Sequence, residues 1–213
     1  VSNANIPSKW TGGPVLYLAR HGETDFNLNK IFQGRTDTPL NQTGLTQAET
    51  LRRLFEPISL TRAFCSPLER ARITASVILK NRSIPLIEEK RLVELDFGAW
   101  EKVPEIEVKE RWVDDYINYR SDLWRFHPEG GESARDAQKR AGEWWDEILP
   151  RFGSPSEHIL VVAHQSINAV LACHVAGVDL SGAWEHFKTK PGEAIRIVPG
   201  PVAMVSRLSG DHS

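Results

Sequence analysis

Two stretches of the chain are apolar at every position, Val15 to Ala19 and Ile159 to Ala163. Such short unbroken runs, the first preceded by Gly12, Gly13 and Pro14, predict strands covered on both faces. Arg62 to Cys65 and Ile84 to Ile87 predict two further short strands, the second edge-type. Ala194 to Val198 and Val202 to Arg207, joined by Pro199, Gly200 and Pro201, predict an antiparallel hairpin. Elsewhere the apolar spacing lengthens. Leu45, Ala48, Leu51 and Leu54 or Phe55 mark one face of a helix from Thr43 to about Phe55, closed by Pro57. Ser66 and Pro67 open a helix from Leu68 to about Leu79, Ser133 caps one that runs to about Leu149 and stops at Pro150, and another ends near Ala176 before Gly177. Asp25 to Gln42 is rich in turn formers and predicts a long ordered loop. Strands alternating with helices predict an α/β fold, a three-layer, doubly wound, mostly parallel sheet with helices on both faces. Residues 101–132 break the alternation with mixed charges and aromatic residues, and predict a helical insertion. Residues 1–13 read as a flexible leader and 14–213 as a single domain.

The charge balance narrows the partners. Twenty-six basic and 28 acidic residues leave a net charge of −2, so no global field recruits nucleic acid or an anionic membrane. Cys65 and Cys173, each in apolar sequence, read as reduced core residues. No apolar run approaches the length of a membrane span and no targeting segment stands out, which predicts a cytoplasmic protein. The aromatic residues can serve a core or a homodimer interface, and both readings stay open.

The chemistry gathers where strands stop. Both strongly apolar strands end at a histidine, His21 and His164. A lone histidine after a strand is ordinarily just a satisfied polar residue, but two converging at the carboxyl edge of one sheet mark the place where open α/β sheets bind ligands. Arg20 and Arg70 follow strand ends on the same side, where planar guanidinium groups can grip phosphate oxygens. Arg70 opposes the dipole at its helix start, a conflict that a bound anion would resolve. Glu94 lies beside Leu95, Phe97 and Trp100, apolar neighbours expected to raise its carboxyl pKa toward that of a general acid. Neither paired carboxylates nor a His-x-x-x-His helix offers a metal site, so no metal and no cofactor are expected.

These residues resemble the histidine phosphatase superfamily, in its phosphoglycerate mutase-like branch. The Arg20-His21-Gly22 run, with Thr24 two residues on, is similar to the family signature. The segment from Ser66 to Ala75 resembles its second arginine motif and selects Arg70 over Arg72. Leu92 to Glu101 resembles the segment of the proton donor and selects Glu94 over Asp96 and Glu101. Val161 to His164 resembles the second histidine motif, and Gly130 to Ser133 a common family stretch. The resemblance implies a phosphohistidine on His21, proton transfer by Glu94, and oxyanion binding by Arg20, Arg70 and His164. It also implies phosphate contact by Asn27, and substrate contact by Gln33 and Gly34. The family commonly has glycine after the second histidine; Gln165 adds a side chain there, its backbone N–H still able to bind phosphate and its amide expected to contact substrate or narrow the site. Trp112, Trp124 and Phe126 can wall a leaving-group pocket or join the core. The short span from Glu94 to His164 favours a metal-independent phosphatase acting on a small phosphorylated metabolite such as a sugar phosphate. A cofactor-dependent mutase is the alternative, and a non-catalytic phosphate-binding scaffold would be marked by loss of His21 or Glu94.

Overall fold

The protein is described by a computed structural model covering residues 4–7, 11–122, 124–180, 187–200 and 202–208. Leader residues 1–3 and 8–10, and Pro201 of the expected hairpin turn, lie outside the described residues. Seven strands form one sheet: β1 (Ala4–Pro7), β2 (Val15–Arg20), β3 (Arg62–Cys65), β4 (Leu86–Glu88), β5 (His158–Ala163), β6 (Ala194–Val198) and β7 (Val202–Leu208). Their order is β1-β7-β6-β2-β5-β3-β4. The strands β2, β5, β3 and β4 are parallel, and β6, β7 and β1 extend the sheet beyond β2 in antiparallel fashion. Residues 4–7, expected in the leader, form an edge strand instead, paired with β7.

Both faces of the sheet are covered, which is why the central strands are unbroken apolar runs. On one face Leu16, Leu18, Ile159 and Val161 pack with α6 (Ala134–Phe152) and α7 (Gln165–Ala176). On the other, Val15, Tyr17, Ala19, Leu160 and Val162 pack with α2 (Gln42–Phe55) and α3 (Glu69–Ile78). The insertion supplies α4 (Glu105–Arg111) and α5 (Val113–Ser121). Its aromatic residues Trp112, Tyr116, Trp124 and Phe126 pack against the first core.

Three local expectations change. The stretch from Asp25 to Gln42 begins with a one-turn helix, α1 (Asp25–Leu28), because Thr24 and Asn27 form a capping box. In α2 the buried face is Gly44, Ala48, Leu51 and Phe55, while Leu45 is 39% exposed. A glycine occupies the buried position of the first turn because the backbone at Glu23 passes against it; a Cβ on Gly44 would lie 2.1 Å from the Glu23 carbonyl oxygen. Helix α6 continues through Pro150, which falls in its last turn; lacking an N–H, it gives up the hydrogen bond to the carbonyl four residues earlier, and the helix ends two residues on at Phe152.

Register places the chemistry. Arg20 of β2 sits opposite Ala163 of β5, and His21 N–H donates to the Ala163 carbonyl at 3.0 Å. Ser66 N–H donates to the Val162 carbonyl at 3.0 Å. His21, His164 and Ser66 therefore leave three adjacent parallel strands at one edge. The layer behind them depends on Trp144, 1% exposed, whose ring meets Phe64 edge-on at 5.2 Å. Trp144→Ala is expected to destabilise the fold by about 3–5 kcal/mol, read from the urea midpoint at unchanged slope.

Candidate active site

His21 is 3% exposed, and its Nδ1 lies 2.6 Å from the Gly22 carbonyl. A carbonyl oxygen only accepts, so Nδ1 carries the proton and Nε2 keeps its lone pair. Burial first, then the charges of Arg70 and Arg20, hold the His21 pKa well below the usual imidazole value. His164 lies alongside, with ring centroids 5.1 Å apart. Its Nε2 shares a 2.8 Å hydrogen bond with Ser66 Oγ, and its Nδ1 is buried without a partner. Burial, followed by the charge of Arg70, also pushes the His164 pKa well down.

The two arginines are held by oxygens that carry no full charge. Arg70 Nη1 donates to the Thr36 carbonyl and Nη2 to the Gly34 carbonyl, each at 2.8 Å. Arg20 Nη1 donates to the Thr189 carbonyl at 2.9 Å and to the Gln165 side-chain oxygen at 2.5 Å. The Nε atoms of both are buried and unpartnered. Burial lowers the Arg20 pKa to about 10, which leaves the group charged at neutral pH. No ion pair joins either guanidinium to a carboxylate among the described residues.

Glu94 is 8% exposed, and its carboxylate accepts backbone N–H groups from Leu95 at 2.9 Å and from Ser166 and Ile167 at 3.2 Å. The expected apolar surroundings are only part of its setting: the carboxylate sits on the amino end of α7 and accepts the N–H groups presented there. Its backbone is fixed by Arg140, which donates to the Arg91 and Glu94 carbonyls and pairs with Glu132. Asp96 and Glu101, the other acids of that segment, are committed elsewhere. Asp96 accepts from Gly98 N–H and pairs with Arg35. Glu101 accepts from the backbone N–H groups of Arg35 and Thr36 and from the Thr36 hydroxyl. That grip holds the loop whose carbonyls seat Arg70. Gly34 there has φ +52°, and a Cβ would strike the Glu101 carboxylate.

A cleft of about 300 Å³ joins these groups. Arg20, His21, Asn27, Gln33, Gly34, Arg70, Glu94 and Gln165 all line it, so nearly every residue expected at the site converges there. His164 stands behind His21. The Asn27 side-chain oxygen accepts from Thr24 N–H, and the Gln33 oxygen from the hydroxyls of Thr24 and Thr38. Trp112, Trp124 and Phe126 do not wall the cleft; Phe26, Phe32, Phe97 and Tyr119 do, with Lys30, Glu105 and Arg120. Burial raises the Tyr119 hydroxyl above its ordinary pKa. Among the described residues no group of three His, Cys, Asp or Glu side chains is placed to hold a metal. Both cysteines are free and buried, and burial lifts their thiols to about 12. No described helix is long and apolar enough to cross a membrane.

The fold and the site define an α/β protein whose sheet edge brings two guanidinium groups and a buried imidazole, with an unprotonated Nε2, to one cleft. The chain belongs to the histidine phosphatase superfamily (branch 1), whose family model matches residues 16–201. It is 32% identical over 187 residues to the adenosylcobalamin/alpha-ribazole phosphatase of Salmonella typhimurium, covering 87% of this chain and 91% of that protein. It is 30% identical over 203 residues to a 2,3-bisphosphoglycerate-dependent phosphoglycerate mutase of Methylorubrum extorquens, covering 92% and 91%. The crystal structure of the alpha-ribazole phosphatase from Shigella flexneri superposes with a TM-score of 0.79 at 29% identity, covering 92% of this chain and 96% of that one.

Two histidines kept neutral by burial couple stability to acid. Their folded pKa values lie below the unfolded value of about 6.5, so the unfolded chain binds protons first and stability falls as pH drops below that value. Each histidine contributes up to about 1.4 kcal/mol per pH unit. Between pH 6.5 and 5, His164→Asn should show a shallower loss of unfolding free energy than the parent; equal slopes would place His164 outside this linkage.

Proposed function

We propose that the protein hydrolyses small phosphomonoesters without a metal, through a phosphohistidine on His21. The observation that carries this reading is a set of buried, unpartnered nitrogens: Arg20 Nε and Arg70 Nε, on side chains that line the cleft with His21, and His164 Nδ1, on the ring that packs against His21. Buried polar groups are rarely left without partners, and donors on side chains around one imidazole fit the equatorial oxygens of a phosphoryl group. Asn27 lies within the same cleft and completes the phosphate contacts in this reading, while Gln33 and Gly34 lie on the substrate side.

In the first step His21 Nε2 attacks phosphorus, an N–P bond forms, and the ester P–O bond breaks. Glu94, protonated for this step, gives its proton to the leaving oxygen. In the second step water attacks phosphorus, Glu94 takes its proton, and the N–P bond breaks to release phosphate and neutral His21. Arg20, Arg70 and His164 stabilise the charge on the transferring group, as preorganised donors do in phosphoryl transfer. The cleft volume and its aromatic wall suit a leaving group the size of a sugar or another small ring. Transfer to a second substrate hydroxyl would use the same groups, and relatives of the chain include mutases as well as phosphatases.

The test is phosphate release from a panel of phosphomonoesters in EDTA, with phosphoglycerate interconversion followed in parallel. Release without interconversion is expected; interconversion faster than release would make the protein a mutase. His21→Ala should abolish turnover, and substantial activity in the purified variant would remove the nucleophile from the scheme. Glu94→Gln should cost roughly 10²- to 10⁴-fold with an alkyl phosphate. The loss should be much smaller with an aryl phosphate, whose leaving group needs no proton, and equal losses with both would count against the acid role.

A further inference from the structure

The two guanidinium groups of the cleft are built to one plan. Each is pinned through terminal nitrogens by carbonyl-type oxygens and keeps a buried, unpartnered Nε. Three of the four pins are main-chain carbonyls, those of Gly34, Thr36 and Thr189. The fourth is the side-chain amide of Gln165. Both pins on Arg20 fall on Nη1, which leaves the edge formed by Nε and Nη2 as its free, bidentate face.

From this geometry, and resting on the phosphoryl site proposed above, we infer that Gln165 is a positioning residue: its amide oxygen fixes Arg20 so that the Nε–Nη2 edge meets the transferring phosphoryl group. Two features of the side chain suit it to this work. An amide accepts the hydrogen bond without bringing the negative charge of a carboxylate, so Arg20 is oriented and keeps its full charge for the anion. Gln165 also opens α7 directly after His164 and directly before Ser166 and Ile167, whose N–H groups hold Glu94. One helix start thereby sets the relative positions of the second histidine, the proton-transferring acid and one arginine. A glycine at this position would leave Nη1 with the Thr189 carbonyl alone.

The test uses the whole chain and two readouts: binding of orthovanadate by calorimetry, and kcat/KM for p-nitrophenyl phosphate and an alkyl phosphate. Orthovanadate adopts the five-coordinate shape of the transferring group and needs no turnover to be seen. Gln165→Leu should weaken orthovanadate about tenfold, the scale of one lost hydrogen bond to a charged group. It should lower kcat/KM by a similar factor for both esters, because the lost alignment lies on the phosphoryl side and not at the leaving group. Gln165→Met, similar in length and with only a weak thioether acceptor, should come close to it, with thermal midpoints near the parent's. In an Arg20→Ala background, Gln165→Leu should add no further loss, since there is no guanidinium left to hold. Orthovanadate binding unchanged in Gln165→Leu, a penalty that differs between the two esters, or the full penalty persisting without Arg20 would each overturn the inference. If the parent protein binds orthovanadate but cleaves no ester, the hydrolytic reading fails, and the orthovanadate data alone decide the role of Gln165.

Discussion

The site rests on one constraint: two guanidinium groups with buried Nε atoms line one cleft, and no carboxylate is ion-paired to either among the described residues. Burying an unpaired charge is costly, and the ordinary remedy is an ion pair. A carboxylate on Arg20 or Arg70 would stabilise the empty fold and cancel the positive potential that a phosphate needs. Carbonyl dipoles are the intermediate solution, because they satisfy N–H groups and leave the charge in place. Of the five buried side-chain atoms left unsatisfied among the described residues, two are Nε atoms of these arginines and one an imidazole nitrogen, and in the reading proposed above those three are the share left for the ligand.

The surrounding structure follows from holding those groups still. Glu94 is held by three backbone N–H groups, two of them at the start of α7, and makes no ion pair with either arginine among the described residues, though its charge still acts on both. Glu101 spends its carboxylate on the loop that presents the Gly34 and Thr36 carbonyls to Arg70. Thr74 accepts from Gly22 N–H and donates to the Arg70 carbonyl, tying the signature loop to α3. Parallel pairing of β2 with β5 and of β5 with β3 brings their ends to one level. The same like charges that crowd the site help, after burial, to keep both histidines neutral, the state that the proposed attack by His21 requires.

Much of this was legible because it is local. An apolar run that stops at a histidine can be seen in a few residues, and the shared edge of two such runs follows from the parallel sheet. Arg20, Arg70, Glu94, His21 and His164 were found in that way or through short motifs. What escaped depends on partners far apart in the chain: Glu101 with Arg35 and Thr36, Arg140 with Glu94, and Gln165 with Arg20. Nothing near Glu101 announces that it is a brace for a loop some 65 positions earlier. The aromatic residues show the same limit. Trp112, Tyr116 and Tyr119 share one helical region, yet Tyr119 alone of the three lines the cleft, because the facing surface is set by how the insertion docks. Leu45 was misplaced because helical periodicity cannot foresee that a neighbouring backbone requires glycine at the buried position of the first turn.

The two ends of the cleft are therefore made differently. The end proposed above as the phosphoryl end is assembled from strand termini, a helix start and main-chain carbonyls, each held by several hydrogen bonds. The opposite end draws on exposed residues of the segment after α1 and of α5, with Lys30 and Arg120 both exposed. Substitutions at that end alter what fits without disturbing the buried charges, whereas almost any change at the phosphoryl end breaks a pin, a register or a close backbone approach. A scaffold with this asymmetry can keep one chemistry while changing its leaving group or its acceptor, which accounts physically for phosphatases and mutases sharing the family to which this chain belongs. Gln165 stands where the two ends meet, at the cleft surface but bonded to Arg20, so a side chain that looks open to variation is bound to the part of the site that tolerates it least.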